Sequence, residues 1–332
     1  MIAVAETSTA PGRVCPLRYR YGARALAAAP TKTAETLYVV GGLYGNVPAL
    51  DTVEGMANAE PTLPTLCFNG DFNWFNISDA SFAEINTRVL QHDAILGNVE
   101  AEFDPESTNE DVGCGCAYPD NVDTGIVERS NQIHAQLKAT ARRHSALAAQ
   151  LAALPMFARY QVGDCRIGVV HGDADSLAGW RFDVDSLDNA NELPWLQSSF
   201  ADGQVDLFAS THTCLPAMRK FALNAEGNAT GYVVNNGAAG MPNFAHDTAN
   251  PSASNHLFGL CTRIGVTPSP HETIHEFRHA GVYVALLPIR YDSAVWIEQF
   301  LKQWPEGSAA HESYFQRISA GTNFARRRAH VG

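Results

Sequence analysis

The sequence predicts an α/β fold with a largely parallel sheet, and two observations carry this prediction. Short runs rich in β-branched and aromatic residues alternate with segments whose apolar residues recur at helical spacing. Each early run also ends in glycine, and a polar residue follows within a few positions, which is typical of the loops at the carboxyl ends of parallel strands. The composition, 45% hydrophobic and 17% charged, is that of a globular protein.

The first hundred residues give these elements in order. A strand at Thr36–Val40 is followed by a helix at Pro48–Ala57, and a second strand at Thr65–Phe68 is followed by a helix at Ala80–Gln91. A third strand is predicted at Ala94–Leu96. Strand, loop and helix thus repeat with short connections, and we expect the three strand ends to meet at one edge of a sheet.

The later elements are less regular. Residues 104–125 are interpreted as a long surface loop, and residues 131–153 as a helix because their alanines and leucines recur at helical spacing. Further strands are predicted at Ala158–Val162, Arg166–Val170, Leu207–Ser210, Tyr232–Asn235 and Val282–Pro288.

We divide the chain into three parts. Residues 1–35 show no clear periodicity and are interpreted as a poorly regular arm that packs on the core. Residues 36–290 form the main domain, in which residues 104–155 are a loop and helix insertion, and residues 291–332 form a helical extension of the same domain. The apolar helical faces between Trp296 and Phe315 suit either packing on the core or contact within a homo-oligomer.

Net charge restricts the partners. The 35 acidic residues outnumber the 23 basic ones, and a net charge of -12 repels phosphate backbones and anionic lipid. We therefore expect neither nucleic acid nor a membrane as a partner. A small phosphorylated substrate stays compatible with this charge, because a metal ion reverses the local field inside a cleft.

The cysteines and the hydropathy indicate a cytoplasmic protein. The seven cysteines are scattered and odd in number, which favours reduced thiols over a disulfide framework. No segment approaches the ~20 apolar residues that cross a bilayer. Cys114 and Cys116 are interpreted as loop thiols, because a C-x-C pair lacks the remaining ligands of a metal site. The role of the two thiols stays open. The loop that carries them is a candidate cover for a cleft.

Five loops that follow apolar runs carry the polar residues of interest. In order, they contain Gly41 to Asn46, Gly70-Asp71, Gly97 to Glu100, His171-Gly172 and Thr211 to Pro216. This ordered set resembles the calcineurin-like metallophosphoesterases, whose pattern is D-x-H-G-N, G-D, G-N-[HCV]-[DE], H-G and G-H-x-H-x-P. The match covers residues 36–245. The resemblance implies a four-layer αββα sandwich of two mixed sheets flanked by helices, and a hydrolase that acts on phosphoesters.

The resemblance also implies a set of metal ligands. Asp71 falls on the bridging aspartate of the family, Asn98 on its asparagine ligand, and His171 and His212 on two histidine ligands of one metal position. Oxygen and imidazole ligands together suit Mn, Fe, Zn or Ni. We therefore expect a divalent metal ion at these four residues.

The other metal position of the family is incomplete in this chain. Its aspartate and first histidine fall on Gly42 and Tyr44, and the second histidine of G-H-x-H falls on Cys214. The losses are confined to one position, so we expect a single ion. The alternative is that Cys214 as a thiolate and Tyr44 as a phenol rebuild part of the lost half.

The resulting hypothesis is hydrolysis of a phosphomonoester or phosphodiester by metal-activated water, a phosphatase-type reaction. We assign catalytic roles to Tyr44 and Asn46, which would hold the ester, and to Asn98. Val99 stands where many relatives have a histidine, which excludes acid catalysis from that position. Because three family ligands are replaced, the alternative is a catalytically silent relative that binds a phosphorylated ligand or a protein partner.

A third hypothesis comes from the sequence His271 to His275, which reads H-E-x-x-H. On a helix this spacing puts two imidazoles on one face with a glutamate beside the metal, as in zinc metalloproteases. No third ligand follows at the usual spacing. The favoured interpretation is therefore a short polar helix that precedes the strand at Val282.

Overall fold

The structure, a computed structural model, describes residues 10–103, 112–246 and 256–331. Thirteen strands occur among these residues. They are β1 (Thr31–Ala34), β2 (Thr36–Val40), β3 (Thr65–Asn69), β4 (Asp93–Ile95), β5 (Phe157–Val162), β6 (Cys165–Val170), β7 (Leu207–Ser210), β8 (Pro216–Ala222), β9 (Thr230–Asn236), β10 (Gly259–Gly265), β11 (His275–His279), β12 (Val282–Ile289) and β13 (His330–Val331).

The strands form two mixed sheets. One has six strands in the order β11-β12-β10-β2-β3-β4, and the other has seven in the order β1-β5-β6-β7-β9-β8-β13. Parallel pairing joins β2 to β3 to β4 in the first sheet and β6 to β7 to β9 in the second. The carboxyl ends of these parallel strands carry the loops that hold the candidate site.

Ten helices flank the sheets within the described residues. They are α1 (Ala23–Ala28), α2 (Val47–Asn58), α3 (Asp79–Val89), α4 (Asn98–Ala101), α5 (Thr124–Arg143), α6 (Ser145–Ala152), α7 (Val184–Leu187), α8 (Leu193–Gly203), α9 (Ser293–Gln303) and α10 (Ala309–Ala320). Side chains cap several of them, since Asp292 accepts the first free N–H groups of α9, and Ser308 accepts one from α10.

The alternation of β2 shows how the layers stack. Tyr38 and Val40 point into a core shared with α2, α3, α9 and α10, whereas Leu37 and Val39 point into a second core between the two sheets. All four side chains are fully buried. A strand buried on both faces reads as a continuous apolar run, and the order helix, sheet, sheet, helix confirms the predicted αββα sandwich.

The predicted arm at residues 1–35 contains regular structure in its described part. Residues 23–28 form helix α1, and β1 pairs in parallel with β5, with Thr31 opposite Arg159. The segment lacks an apolar pattern because β1 is a mostly exposed edge strand, which carries no burial signal.

Other boundaries differ from the expected ones. The helix expected at residues 131–153 is two helices, α5 and α6, which meet at His144. The apolar faces of the C-terminal helices pack on the core, where Trp296, Phe300 and Trp304 are buried. Every helix in the described ranges is too short or too polar to cross a lipid bilayer.

Candidate metal centre

The four predicted metal ligands lie together although they come from both sheets. Asp71 and Asn98 follow β3 and β4 of the six-stranded sheet, and His171 and His212 follow β6 and β7 of the seven-stranded sheet. The carboxyl ends of parallel strands from the two sheets therefore face one point. All four side chains are buried.

The donor atoms of the other three residues all lie close to Nε2 of His171. From Nε2 of His171, the distance is 3.4 Å to Oδ1 of Asp71, 3.2 Å to Oδ1 of Asn98 and 3.3 Å to Nδ1 of His212. The ligand atoms of the aspartate and the two histidines all lie within 4.8 Å of one another, and this is the one such group of three in the described part of the chain. Two oxygens and two imidazole nitrogens at this spacing fit one transition-metal ion.

Contacts outside the cluster orient each donor atom. Nδ1 of His171 lies 2.8 Å from the carbonyl oxygen of Asn69, and Nε2 of His212 lies 3.2 Å from that of Cys116. A ring nitrogen that donates to a carbonyl carries the proton, so the other nitrogen presents its lone pair to the cluster. Likewise, Nδ2 of Asn98 donates to the carbonyl of Cys114 over 3.1 Å, which turns Oδ1 inward.

The loop at Asp71 is tightly held. Asp71 has a left-handed backbone with φ of 55°, and its N–H donates to the Glu100 carboxylate over 2.8 Å. The same carboxylate accepts the N–H of Phe72 over 2.9 Å. A Cβ on Gly70 would come within 2.4 Å of the Gly97 backbone, so the two loops approach more closely than any side chain at Gly70 allows. Sequence analysis did not place Glu100; the structure puts it behind the ligand loop.

Burial and neighbouring charges set the protonation of the cluster. Burial, reinforced by the charge of Asp71, raises the pKa of Glu100 to about 7. Burial also opposes the ionisation of Asp71, but His171 outweighs it and lowers the pKa of the carboxyl. Burial, with help from His171, lowers the pKa of His212 to about 3, so this imidazole is neutral. Burial opposes the charged form of His171, but Asp71 outweighs it and raises the pKa of this imidazole, so a cation at the shared point would compete with a proton on His171.

The residues at the positions where the family pattern has further ligands lie close to one another. A Cβ on Gly42, where the family has an aspartate, would lie 2.7 Å from the phenol oxygen of Tyr44. That oxygen lies 2.9 Å from Sγ of Cys214. Burial raises the pKa of both the phenol and the thiol, so the pair is neutral.

A cavity of about 190 Å³ opens beside the cluster. Its walls are largely aromatic, and the residues that bear on its chemistry are Trp74, Tyr118, Trp180, Met241, Tyr314 and Arg317. Trp180 packs edge-on against His212, with ring centroids 5.1 Å apart, and its indole N–H donates to the Cys116 carbonyl over 2.9 Å. Tyr314 and Arg317 belong to α10, and no motif in the sequence pointed to them.

The loop at residues 112–118 borders the same cavity. Cys116 lines the cavity and is buried, and Cys114 is also buried. Their backbone carbonyls orient two of the predicted ligands, and Sγ of Cys116 lies 3.5 Å from Nδ2 of Asn98. The part of this loop at residues 104–111 lies outside the described residues.

Asn46, predicted to hold the ester, has another position. Its Oδ1 accepts the N–H of Ala49 over 2.9 Å and so caps α2, and its Nδ2 donates to the carbonyl of Gly240 over 2.9 Å. The side chain is fully buried and does not line the cavity. It positions the loop that carries Tyr44, and we assign it no contact with substrate.

The H-E-x-x-H segment is not helical, so the predicted helix is wrong. His271 lies in a loop with Nε2 3.0 Å from the carbonyl oxygen of Met56, whereas His275 begins β11 with Nε2 3.2 Å from that of Arg326. Antiparallel pairing of β11 with β12 replaces the expected helix. The arrangement that would put both imidazoles on one helical face is absent from this segment.

Neither a protein-family model nor a curated protein matches the sequence. Solved structures do match. The hypothetical protein PH1004 from Pyrococcus horikoshii OT3 has a TM-score of 0.54 at 13% identity, over 88% of this chain and 100% of that chain. A metallophosphoesterase from Sphaerobacter thermophilus has a TM-score of 0.49 at 16% identity, over 86% and 100%. Vps29 from Entamoeba histolytica, complexed with zinc, has a TM-score of 0.33 at 10% identity, over 77% and 99%.

At these identities the likeness concerns the fold. The stacked mixed sheets match that fold, and the five loops at the strand ends follow the order of the family pattern. The chain therefore shares its stacked-sheet fold with the Pyrococcus horikoshii protein, and its strand-end loops resemble the calcineurin-like metallophosphoesterase pattern.

Proposed function

We propose that the protein hydrolyses small phosphoesters at a site that holds one divalent metal ion between Asp71, Asn98, His171 and His212. The observation that carries this proposal is the convergence of four donor atoms, each oriented by a backbone carbonyl or a backbone N–H outside the cluster. Such outer contacts are characteristic of metal ligands, since they fix the tautomer and the direction of the donor.

A divalent ion bound there would polarise a phosphoryl oxygen and lower the pKa of a water molecule. The residues of the chain supply the rest. Asp71 is the one anionic side chain among the four donors, so the loaded site keeps a positive charge that attracts an anionic ester. Tyr44 stays protonated at the cavity wall, and its hydroxyl is a hydrogen-bond donor for an ester oxygen.

The geometry supports one ion rather than two. Gly42 contributes no side chain, and the Tyr44 ring occupies the space into which a side chain there would extend. The phenol and thiol that replace two family ligands contact each other. Any rebuilding of the second site by Tyr44 and Cys214 would require this pair to separate.

The same loss favours a second candidate, a catalytically silent protein that binds a phosphorylated ligand in this cavity. A single ion lacks the partner that would stabilise the opposite oxygen in a two-metal displacement. We further propose a cytoplasmic location, which the seven free cysteines support. The homo-oligomer considered for the chain has no specific support, because the helices that would mediate it pack on the core.

Elemental analysis of the purified protein together with hydrolysis of an aryl phosphate tests the proposal. We expect about one Mn, Fe, Zn or Ni ion per chain and measurable turnover, with both lost in Asp71→Ala and His212→Ala. His275→Ala is the matched control, because its imidazole lies outside the cluster. Bound metal without turnover would favour the silent protein, and metal lost in the His275 variant would contradict the proposed site.

A further inference from the structure

The C-terminal helix α10 brings an arginine to the cavity. The Arg317 guanidinium donates through Nε to the carbonyl of Pro242 over 2.9 Å and through Nη2 to the carbonyl of Cys214 over 2.8 Å. These bonds fix the plane of the guanidinium and leave other N–H groups for a ligand, since arginine has five. Cys214 is also the partner of Tyr44, so the guanidinium lies on the side of the missing ion.

The charge of Arg317 has no carboxylate partner within 4.0 Å in the described residues. By contrast, Arg263 pairs with Glu60, and Arg181 pairs with Glu192. Arg317 is also the one cationic side chain among the cavity-lining residues. A partly buried arginine that faces a cavity without a counter-charge is a ready site for an anion.

The cavity also provides flat apolar surfaces. Tyr118 and Trp180 are one pair of wall residues, with ring centroids 5.7 Å apart, and Trp74 and Tyr314 are another, with centroids 6.4 Å apart in an edge-on arrangement. Aromatic walls of this kind favour a planar ring, which stacks or packs edge-on against them. The indole N–H of Trp74 is buried without an acceptor in the described part of the chain, which leaves a donor unsatisfied at this wall.

The volume of the cavity and the charges of its lining residues restrict the class of ligand further. A volume of about 190 Å³ is below the roughly 300–1,000 Å³ of sites for larger ligands, so the ester carries a single small ring. Among the charged side chains that line the cavity, a divalent ion beside Asp71 leaves one net positive charge, and Arg317 adds a second. This sum matches the two negative charges of a phosphomonoester better than the one charge of a diester.

We infer that Arg317 takes the place of the second metal ion as the cation that binds the phosphoryl group, and that the cavity accepts the phosphomonoester of a small planar ring. This inference rests on the proposed function, because it takes the metal-bearing cavity as the site of reaction.

Phosphate binding separates the role of Arg317 from the role of the metal. The variants are Arg317→Met, which removes the charge, and Arg317→Gln, which keeps a donor for the backbone carbonyls. Arg181→Met is the matched control, since this arginine lies near the cavity but pairs with Glu192 and stacks on Trp195. Calorimetric titration of the metal-loaded proteins with inorganic phosphate and with phenyl phosphate gives the affinities, and elemental analysis gives the metal content.

We expect both Arg317 variants to lose about 10- to 100-fold in affinity for either anion while their metal content stays that of the unaltered protein. The Arg181 variant should bind within about twofold of it. Anion binding that survives both Arg317 substitutions would overturn the inference. If the unaltered protein holds no metal, the proposed function fails, and titration of the metal-free proteins with phosphate still decides whether Arg317 binds the anion.

Comparison of substrates tests the ring and the charge. We expect kcat/KM for benzyl phosphate to exceed that for ethyl phosphate by about tenfold or more, because both esters release an alkyl alcohol and only the benzyl ester has a ring to pack on the walls. Methyl phenyl phosphate, a diester with the same ring, should be a poorer substrate than phenyl phosphate. Equal values of kcat/KM for benzyl and ethyl phosphate, or a preference for methyl phenyl phosphate over phenyl phosphate, would overturn the assignment of the substrate class.

Discussion

The hydroxyl oxygen of Tyr44 lies 2.9 Å from the sulfur of Cys214, at the place where the family pattern has ligands of a second metal ion. Both residues have a left-handed backbone, with φ of 55° and 60°. A loop that stays in this costly conformation after losing its ligands is held by its surroundings. In the proposed single-ion site, this hydrogen bond therefore stands where the family pattern has further ligands.

The positions of Gly42 and Tyr44 predict the metal content of a variant that restores the aspartate of the family pattern at residue 42. In Gly42→Asp, the metal content should stay at one ion per chain, because the new Cβ would meet the Tyr44 ring at 2.7 Å and the backbone there has φ of 70°. The variant should also be less stable than the unaltered protein. Elemental analysis and thermal unfolding check both statements. The double variant Gly42→Asp/Tyr44→His, which removes the phenol, is the comparison, and two ions in the single variant would contradict the prediction.

Glu100 is expected to control metal affinity without touching the ion. In Glu100→Gln, the N–H groups of Asp71 and Phe72 lose a charged acceptor, so the ligand loop relaxes. Affinity for Zn²⁺ should fall by about 10- to 100-fold, as measured by competition with a chromophoric chelator. Glu272→Gln, which alters a surface pair with Arg290, should leave the affinity unchanged. Equal affinities in both variants would show that the loop does not need Glu100.

His134 links two loops of the site. Its ring nitrogens lie 3.0 Å from the carbonyl oxygen of Val99 and 3.1 Å from that of Gly113, and the ring stacks between Trp74 and Phe103. His134→Phe keeps a ring of similar shape but removes the donor. We expect the free energy of unfolding to fall by about 1–3 kcal/mol in denaturant titrations at pH 7, because a buried carbonyl loses its partner.

His134 should also make the free energy of unfolding depend on pH. Burial, followed by Lys138, lowers the pKa of His134 from 6.5 to about 4, although the two carbonyls and Asp71 favour the charged form. The unfolded chain therefore binds the proton first as the pH falls, and stability declines between about pH 6.5 and 4. Other groups titrate in this range, so the readout is the difference from His134→Phe, whose stability should fall less over this window. Parallel pH profiles of the two proteins would contradict the assignment.

A buried ion pair joins strand β10 to the segment that follows helix α2. Nε of Arg263 lies 2.6 Å from Glu60, and Tyr38 donates to the same carboxylate over 2.6 Å. Arg263→Met should cost about 3–5 kcal/mol in the free energy of unfolding, because Glu60 is left without its buried counter-charge. Arg166→Met breaks an exposed pair with Asp206 and should cost at most about 1 kcal/mol. Adding Glu60→Gln to the Arg263 variant should recover part of the loss.

The parts of the site that lie on parallel strand ends could be predicted from sequence. Asp71, Asn98, His171 and His212 each follow a buried apolar run directly, so a local pattern gives both the strand and the residue at its end. Strand β10 was not predicted, because its apolar run is not continuous. Arg263 interrupts its apolar run, and only the distant Glu60 makes a buried charge acceptable there.

Arg317 and Tyr314 could not be predicted, because nothing in the sequence of α10 shows which of its faces meets a loop a hundred positions earlier. The edge strands β1 and β11 were missed as well, since an exposed or half-exposed strand lacks a strong apolar alternation. The sequence did not predict these segments, because their structure depends on partners that lie far away along the chain.

The order of these parts along the chain has a consequence for biosynthesis. All four proposed metal ligands precede residue 213, whereas the arginine that faces the cavity is residue 317. A ribosome releases the chain from its N-terminus, so a nascent polypeptide exposes the donors well before the helix that closes the cavity has left the exit tunnel. Metal capture can thus precede the ability to hold a phosphate, and an unfinished chain would have ion-binding side chains without its anion-binding wall.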